Sequence, residues 1–167
     1  MPTYTDVLAT LRRELPEPFP EGSAAEAAAI ARFRQFFSDF SPNKVDALLD
    51  PTYAEDIWFN DTLKTVEGRA ALKHYLRDSA SAVDACKVEI HEVIRSPQAD
   101  YWFRWSMMIR FKRFKRGVDT HSIGMSHLRF DRDGRVRLHQ DYWDSTQGLF
   151  QHIPVLSTLI GLIKRRL

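Results

Sequence analysis

A single cysteine, Cys86, stands among the 167 residues, so no intrachain disulfide can form, which fits a reducing compartment. No window approaches the roughly 20 consecutive apolar residues that a spanning helix needs. The first residues, Met1-Pro2-Thr3-Tyr4-Thr5-Asp6, lack the basic stretch followed by an apolar one that marks a signal peptide. A cytoplasmic location is therefore expected. Charge of one sign is scarce: 24 Lys and Arg face 22 Asp and Glu, an excess too small to point to nucleic acid. The six histidines show no HxH or HExxH spacing, so no metal site is expected. No Gly-rich phosphate loop, internal repeat or low-complexity tract is present, and nothing divides residues 1–167 into two domains.

What is present is a globular composition, 44% hydrophobic and 28% charged, long enough to bury a sizeable core. Tyr4 to Leu15 reads as a short amphipathic helix, stopped by Pro16-Glu17-Pro18-Phe19-Pro20. Ser23 with Glu26 forms a capping-box pattern before a helix carrying Ile30, Phe33, Phe36, Phe37 and Phe40. A shorter helix follows over 44–49, then the β-prone Ile57-Trp58-Phe59-Asn60-Asp61. After Gly68, Ala71, Leu72, Tyr75 and Leu76 recur at helical spacing. The period then changes to two. Val88, Ile90, Val93 and Ile94 give a strand with a bulge after Ile90. Tyr101, Phe103, Trp105, Met107, Ile109 and Phe111 give the strongest strand signal. Lys112 to Val118 is a basic hairpin tip, read as a solvated turn. Strands over 121–130 and 135–143 flank the turn Asp131-Arg132-Asp133-Gly134. Helices first and strands later argue for an α+β fold with helices on one face of the sheet.

The stretch 149–167 reads as a further helix with Leu149, Ile153, Leu156, Ile160, Ile163 and Leu167 in one ridge, Pro154 as a first helical residue and Lys164-Arg165-Arg166 at its end. A helix this apolar requires cover from its own domain, a partner subunit or an anionic membrane surface.

Residues 53–61, Gly68 and the helix opening Arg69-Ala70-Ala71-Leu72 resemble the first half of a nuclear transport factor 2-like domain, the superfamily of the ketosteroid isomerases and SnoaL-like polyketide cyclases. Phe130-Asp131-Arg132-Asp133-Gly134-Arg135-Val136 with Gln140-Asp141-Tyr142-Trp143-Asp144 resembles its last hairpin. The resemblance covers about residues 24–145. It implies a cone-shaped α+β barrel, a strongly curved antiparallel sheet wrapped around helices, with the N- and C-terminal helices as additions. It implies isomerase, cyclase or lyase chemistry without a cofactor, or a non-catalytic module for a lipophilic ligand or protein partner.

Asp61 falls where the resembled isomerases keep their proton-shuttling carboxylate; read without the resemblance, its place at the end of an apolar strand beside Phe59 suits a general base or acid, and the alternative is a cap for the loop before Leu63. Periodicity alone sends Leu138 and Tyr142 inward on the last strand, whereas the resemblance places His139, Asp141 and Trp143 in the cavity. The expected catalytic set is Asp61, His139 and Asp141. Phe59, Tyr75, Tyr101, Phe103, Trp105, Ser126 and Trp143 are expected to contact a hydrophobic small molecule. Ser126 matches the isomerases' protonated acid, and Phe33 to Phe37 match the region of their tyrosine, so their oxyanion donors do not carry over. Arg104 belongs to the face opposite Tyr101, Phe103 and Trp105 and is expected outward; turned inward it would imply the Arg–Asp pairing of the superfamily's epoxide hydrolases. Trp102 and Met108 on that outer face predict a homodimer.

Overall fold

In the computed structural model, which describes residues 2–113 and 116–165, Thr3 and Asp6 form a reciprocal capping box that starts α1 (Tyr4–Glu14). Ser23 Oγ accepts the Glu26 N–H at 3.2 Å and starts α2 (Ala24–Phe37). Then come α3 (Pro42–Thr52), β1 (Tyr53–Asn60), β2 (Thr65–Glu67), α4 (Arg69–Ser81), β3 (Val83–Arg95), β4 (Tyr101–Phe111), β5 (Thr120–Phe130) and β6 (Val136–Trp143). Gly68, at φ +83, occupies the left-handed region that lets β2 turn directly into α4.

Among the described residues the strands form one sheet in the order β2-β1-β6-β5-β4-β3. The β3–β4, β4–β5 and β5–β6 pairs are antiparallel, as the two-residue alternation predicts. The expected bulge falls between Ile90 and Glu92. The sheet is not wholly antiparallel, because β1 pairs parallel with β6. Its concave face wraps α2, burying Phe33 and Phe36 against Tyr53, Phe59, Phe103, Leu128 and Val136.

A second register shift decides which side of β6 faces inward. Phe130 pairs with Val136, but Arg129 pairs with Leu138, so Arg137 is an extra residue and the alternation restarts after it. Val136 therefore joins the main core, while Leu138 points to the convex face. There α1 covers Leu138 and Trp58 with Leu11, Tyr4, Val7 and Leu8.

Under α1 lies a buried ionic cluster. Asp100, 1% exposed, accepts from Arg12 and from Arg129, itself 2% exposed, and its Oδ2 lies 3.5 Å from His127 Nε2. Arg129 also donates to the carbonyls of Leu15 at 2.6 Å and Gln98 at 2.8 Å, tying the chain after α1 to the sheet. Burial would raise the Asp100 carboxyl, but the neighbouring His127 ring and the bonds from Arg12 and Arg129 outweigh it and hold it well below the usual carboxylate range. Trp102 stacks on His127 at 4.2 Å and on Tyr142 at 6.1 Å, so part of its cover comes from its own chain.

The helix expected over 149–167 is shorter. Ser145–Gly148 forms a single turn, α5, Phe150–His152 a 3-10 turn, and the long helix, α6, runs only from Pro154 to Lys164. Ile153, at φ −86 and ψ 118, is extended because proline disfavours a helical residue before it. The ridge is thus broken at its start, and Leu167, with Arg166, lies outside the described residues. So do Phe114 and Lys115 of the hairpin tip, where Lys112, Arg113 and Arg116 are exposed.

Candidate functional site

Between α2, α4 and the concave face of the sheet lies a cavity of about 300 Å3, lined mainly by aromatic and aliphatic side chains. Phe33, Phe37, Phe59, Trp105, Met107 and Trp143 form much of its wall. The placing of its tryptophans depends on β5. Ser122, Gly124 and Ser126 alternate on one face, and their small side chains leave room for the tryptophans of β4 and β6.

At the polar end, His139 is 1% exposed with both ring nitrogens engaged. Nδ1 lies 2.9 Å from Tyr53 Oη, and Nε2 lies 2.7 Å from Asp141 Oδ1. The ring is held edge-to-face by Phe33, Phe37 and Phe59 and stacks on Tyr53. Burial, with a smaller contribution from Asp141, pushes the Tyr53 phenol well up, so it stays protonated and can donate to Nδ1. That bond leaves Nε2–H to donate to Asp141. Ser126 Oγ–H donates to the same Oδ1 at 2.5 Å, and Trp105 Nε1–H donates to Ser126 Oγ at 2.9 Å. Asp141 Oδ1 is thus fixed from two sides. Among the described residues Oδ2 has no protein donor, and the side chain is 17% exposed and lines the cavity.

Asp61, just past β1, makes the loop cap that one reading expected, and it also reaches the cavity. Its Oδ1 caps the loop by accepting the N–H groups of Leu63 at 3.0 Å and Lys64 at 2.9 Å. Its Oδ2 accepts Tyr75 Oη–H at 2.5 Å. Burial first, then that carboxylate, push the Tyr75 phenol up and keep it a donor. Trp143 Nε1–H donates to the Asp61 carbonyl at 2.7 Å, linking the ends of β1 and β6.

Asp61, His139, Asp141, Phe59, Tyr75, Trp105, Ser126 and Trp143 therefore meet around one cavity. Tyr101 and Phe103 are not among its lining residues. Tyr101 Oη–H donates to Glu26 at 2.6 Å as a core strut, and Phe103 packs on Phe33 at 4.8 Å between ring centres. Arg104 is exposed and paired with Glu92 at 3.1 Å, so an Arg–Asp pairing in the cavity is not made. Tyr53 was not legible as a site residue, because no spacing links the first residue of β1 to one on β6. Among the described residues no group of His, Cys, Asp and Glu side chains could hold a metal ion.

Residues 30–139 match the family profile of the SnoaL-like domain. The chain belongs to that family. Three solved structures share the fold at low identity. A LEH-like epoxide hydrolase from M. tuberculosis is 18% identical, with a TM-score of 0.61 over 81% of this chain and 96% of its own. An NTF2-like protein of unknown function from Exiguobacterium sp. 255-15 is 18% identical, with a TM-score of 0.59 over 70% and 98%. A protein with a ketosteroid isomerase-like fold from Catenulispora acidiphila DSM 44928, in complex with trimethylamine, is 16% identical, with a TM-score of 0.62 over 74% and 91%. No curated protein matches by sequence.

Two features of this SnoaL-like domain lead to direct tests. A Cβ on Gly124 would lie 2.4 Å from the Trp105 ring and 2.8 Å from Trp143 Cβ. Gly124→Ala is expected to cost about 1–3 kcal/mol through overpacking and to weaken binding of apolar probes; an unchanged melting temperature would contradict this packing. Cys86, also in the wall, is buried, and burial pushes its thiol up to about 12. Its alkylation by iodoacetamide at pH 8 is expected to be roughly a hundredfold or more slower in folded than in urea-unfolded protein. Similar rates would show that the wall opens freely.

Proposed function

We propose that this SnoaL-like domain binds a lipophilic small molecule and moves a proton on it, with Asp141 as the group that takes and returns the proton. The observation that carries this reading is the open Oδ2 of Asp141 at the polar end of an apolar cavity, while Oδ1 is held by Ser126 and His139. A C–H bond beside an electron-withdrawing group breaks, its proton forms O–H at Oδ2, and its electron pair enters a conjugated system or expels a leaving group. Returning the proton to another carbon completes an isomerisation; loss of the leaving group completes an elimination. Neither needs a cofactor. His139 and Ser126 act as positioning residues. Asp61, with its carboxylate accepting three donors, positions Tyr75 at the cavity wall.

A different observation favours a binding module without turnover. The donors of Ser126, Tyr75, Trp105 and Trp143 are all paired within the protein, so none is directed at an oxyanion on a ligand. The base-catalysed ring opening of 5-nitrobenzisoxazole, a small apolar carbon acid, separates the two. Proton transfer predicts acceleration that Asp141→Asn abolishes and a lipophilic competitor suppresses. If wild type is no faster than Asp141→Asn while both still bind 1-anilinonaphthalene-8-sulfonate in the cavity, the catalytic reading is wrong.

A further inference from the structure

The helix α6 leaves its apolar side uncovered by the rest of the protein. At 3.6 residues per turn, Val155, Leu156, Leu159, Ile160, Leu162 and Ile163 occupy an arc of roughly 160°. Ser157, Thr158, Gly161, Lys164 and Arg165 fill the opposite side. The apolar arc is uncovered: Val155, Leu156, Leu159, Leu162 and Ile163 are between 38% and 74% exposed, and Thr158, Lys164 and Arg165 on the polar side are exposed as well. Such side chains are ordinarily buried in a core, and here the domain leaves them in solvent.

Charge identifies what covers them. No Asp or Glu occurs after Asp144, whereas Lys164, Arg165 and Arg166 follow one another, and these three exceed the whole chain's net charge of +2. Two copies of α6 packed in parallel would bring like charges together, and packed antiparallel they would leave each basic end with no acid in the segment to pair it. An anionic lipid surface supplies both the apolar layer and the opposite charge. Among the described residues no helix is long and apolar enough to cross a membrane, so α6 would lie in the interface. We infer that α6 docks this protein on the surface of an anionic lipid bilayer. Leu149, five residues before α6, lines the cavity, so the chain leading into the docked helix contributes to the cavity wall. The docking does not depend on what the cavity holds or whether it is catalytic.

Co-sedimentation of the full chain with vesicles tests this. Vesicles of phosphatidylcholine containing roughly a third phosphatidylglycerol are expected to bind it, and phosphatidylcholine alone only weakly, with added salt reducing binding. Leu159→Glu is expected to lower the partition constant roughly tenfold or more. Replacing Lys164 and Arg165 by Gln is expected to lower it about fivefold per charge. Both variants should keep the wild-type melting temperature, because the altered side chains are exposed. Three results would overturn the inference: no sedimentation with the anionic vesicles, equal binding to neutral vesicles, or a dimer that Leu159→Glu dissociates while vesicle binding stays unchanged.

Discussion

Asp141→Asn is expected to slow the ring opening of 5-nitrobenzisoxazole by roughly a hundredfold or more, the usual weight of a positioned general base. The amide keeps the shape of the carboxylate and can still accept from Ser126 and His139 through its oxygen. It cannot take a proton at the position of Oδ2. Probe binding should therefore survive, and the loss should appear in kcat rather than KM. His139→Gln should cost less, about tenfold, because it removes a positioning group and not the base. It should also move the pH–rate profile, which a merely structural defect would not do. Asp61→Asn should leave the rate within about threefold, since its amide oxygen can still cap the loop. A loss at Asp61 equal to that at Asp141 would return the base to Asp61 and sink the assignment made here.

Asp100→Asn is expected to destabilise the fold by about 3–5 kcal/mol at pH 7, the cost of leaving a buried partner charge unpaired. The stranded charge is Arg129, because Arg12 is 40% exposed and can return to water. Against a total stability of about 5–15 kcal/mol, such a loss should be plain in urea melts. The sign of its pH dependence follows from the lowered folded-state value. Ionised Asp100 stabilises the fold above its ordinary value of 3.8, and that contribution fades as pH falls through the depressed one. The gap between wild type and Asp100→Asn should therefore be full at pH 7 and narrow below about pH 4. Replacing Asp100 and Arg129 together by apolar residues should cost less than the two single losses added. A single-variant loss under about 1 kcal/mol would mean that water already screens the cluster.

The sequence was most legible where one face of an element is buried and the other is not. The alternation of Tyr101 to Phe111 located β4, and the break after Ile90 located a bulge. On β6 the rule failed for a physical reason. Both of its faces are covered, Leu138 by α1 and His139 by the core aromatics, and the extra residue Arg137 resets the alternation. Only the family resemblance placed His139, Asp141 and Trp143 inward. The cluster of Asp100, His127 and Arg129 was invisible, because charged residues are read as surface unless their partners are known, and Arg12 lies far away in the chain. Pro154 carried the signal for where α6 begins, but the apolar run before it drew the helix too long.

The parallel seam between β1 and β6 sets the order in which this molecule can be completed. Tyr53 to Asn60 emerges early in synthesis, but its neighbour on the other side from β2 is β6, which ends at Trp143. Until β6 is added, β2–β1 and β5–β4–β3 are separate pieces of sheet, each with an unpaired edge. Pairs this distant in sequence are slow to form. Asp61 and Asp141 are brought to the same cavity in that step, so a nascent chain stopped before Val136 lacks the His139 and Asp141 of its polar end.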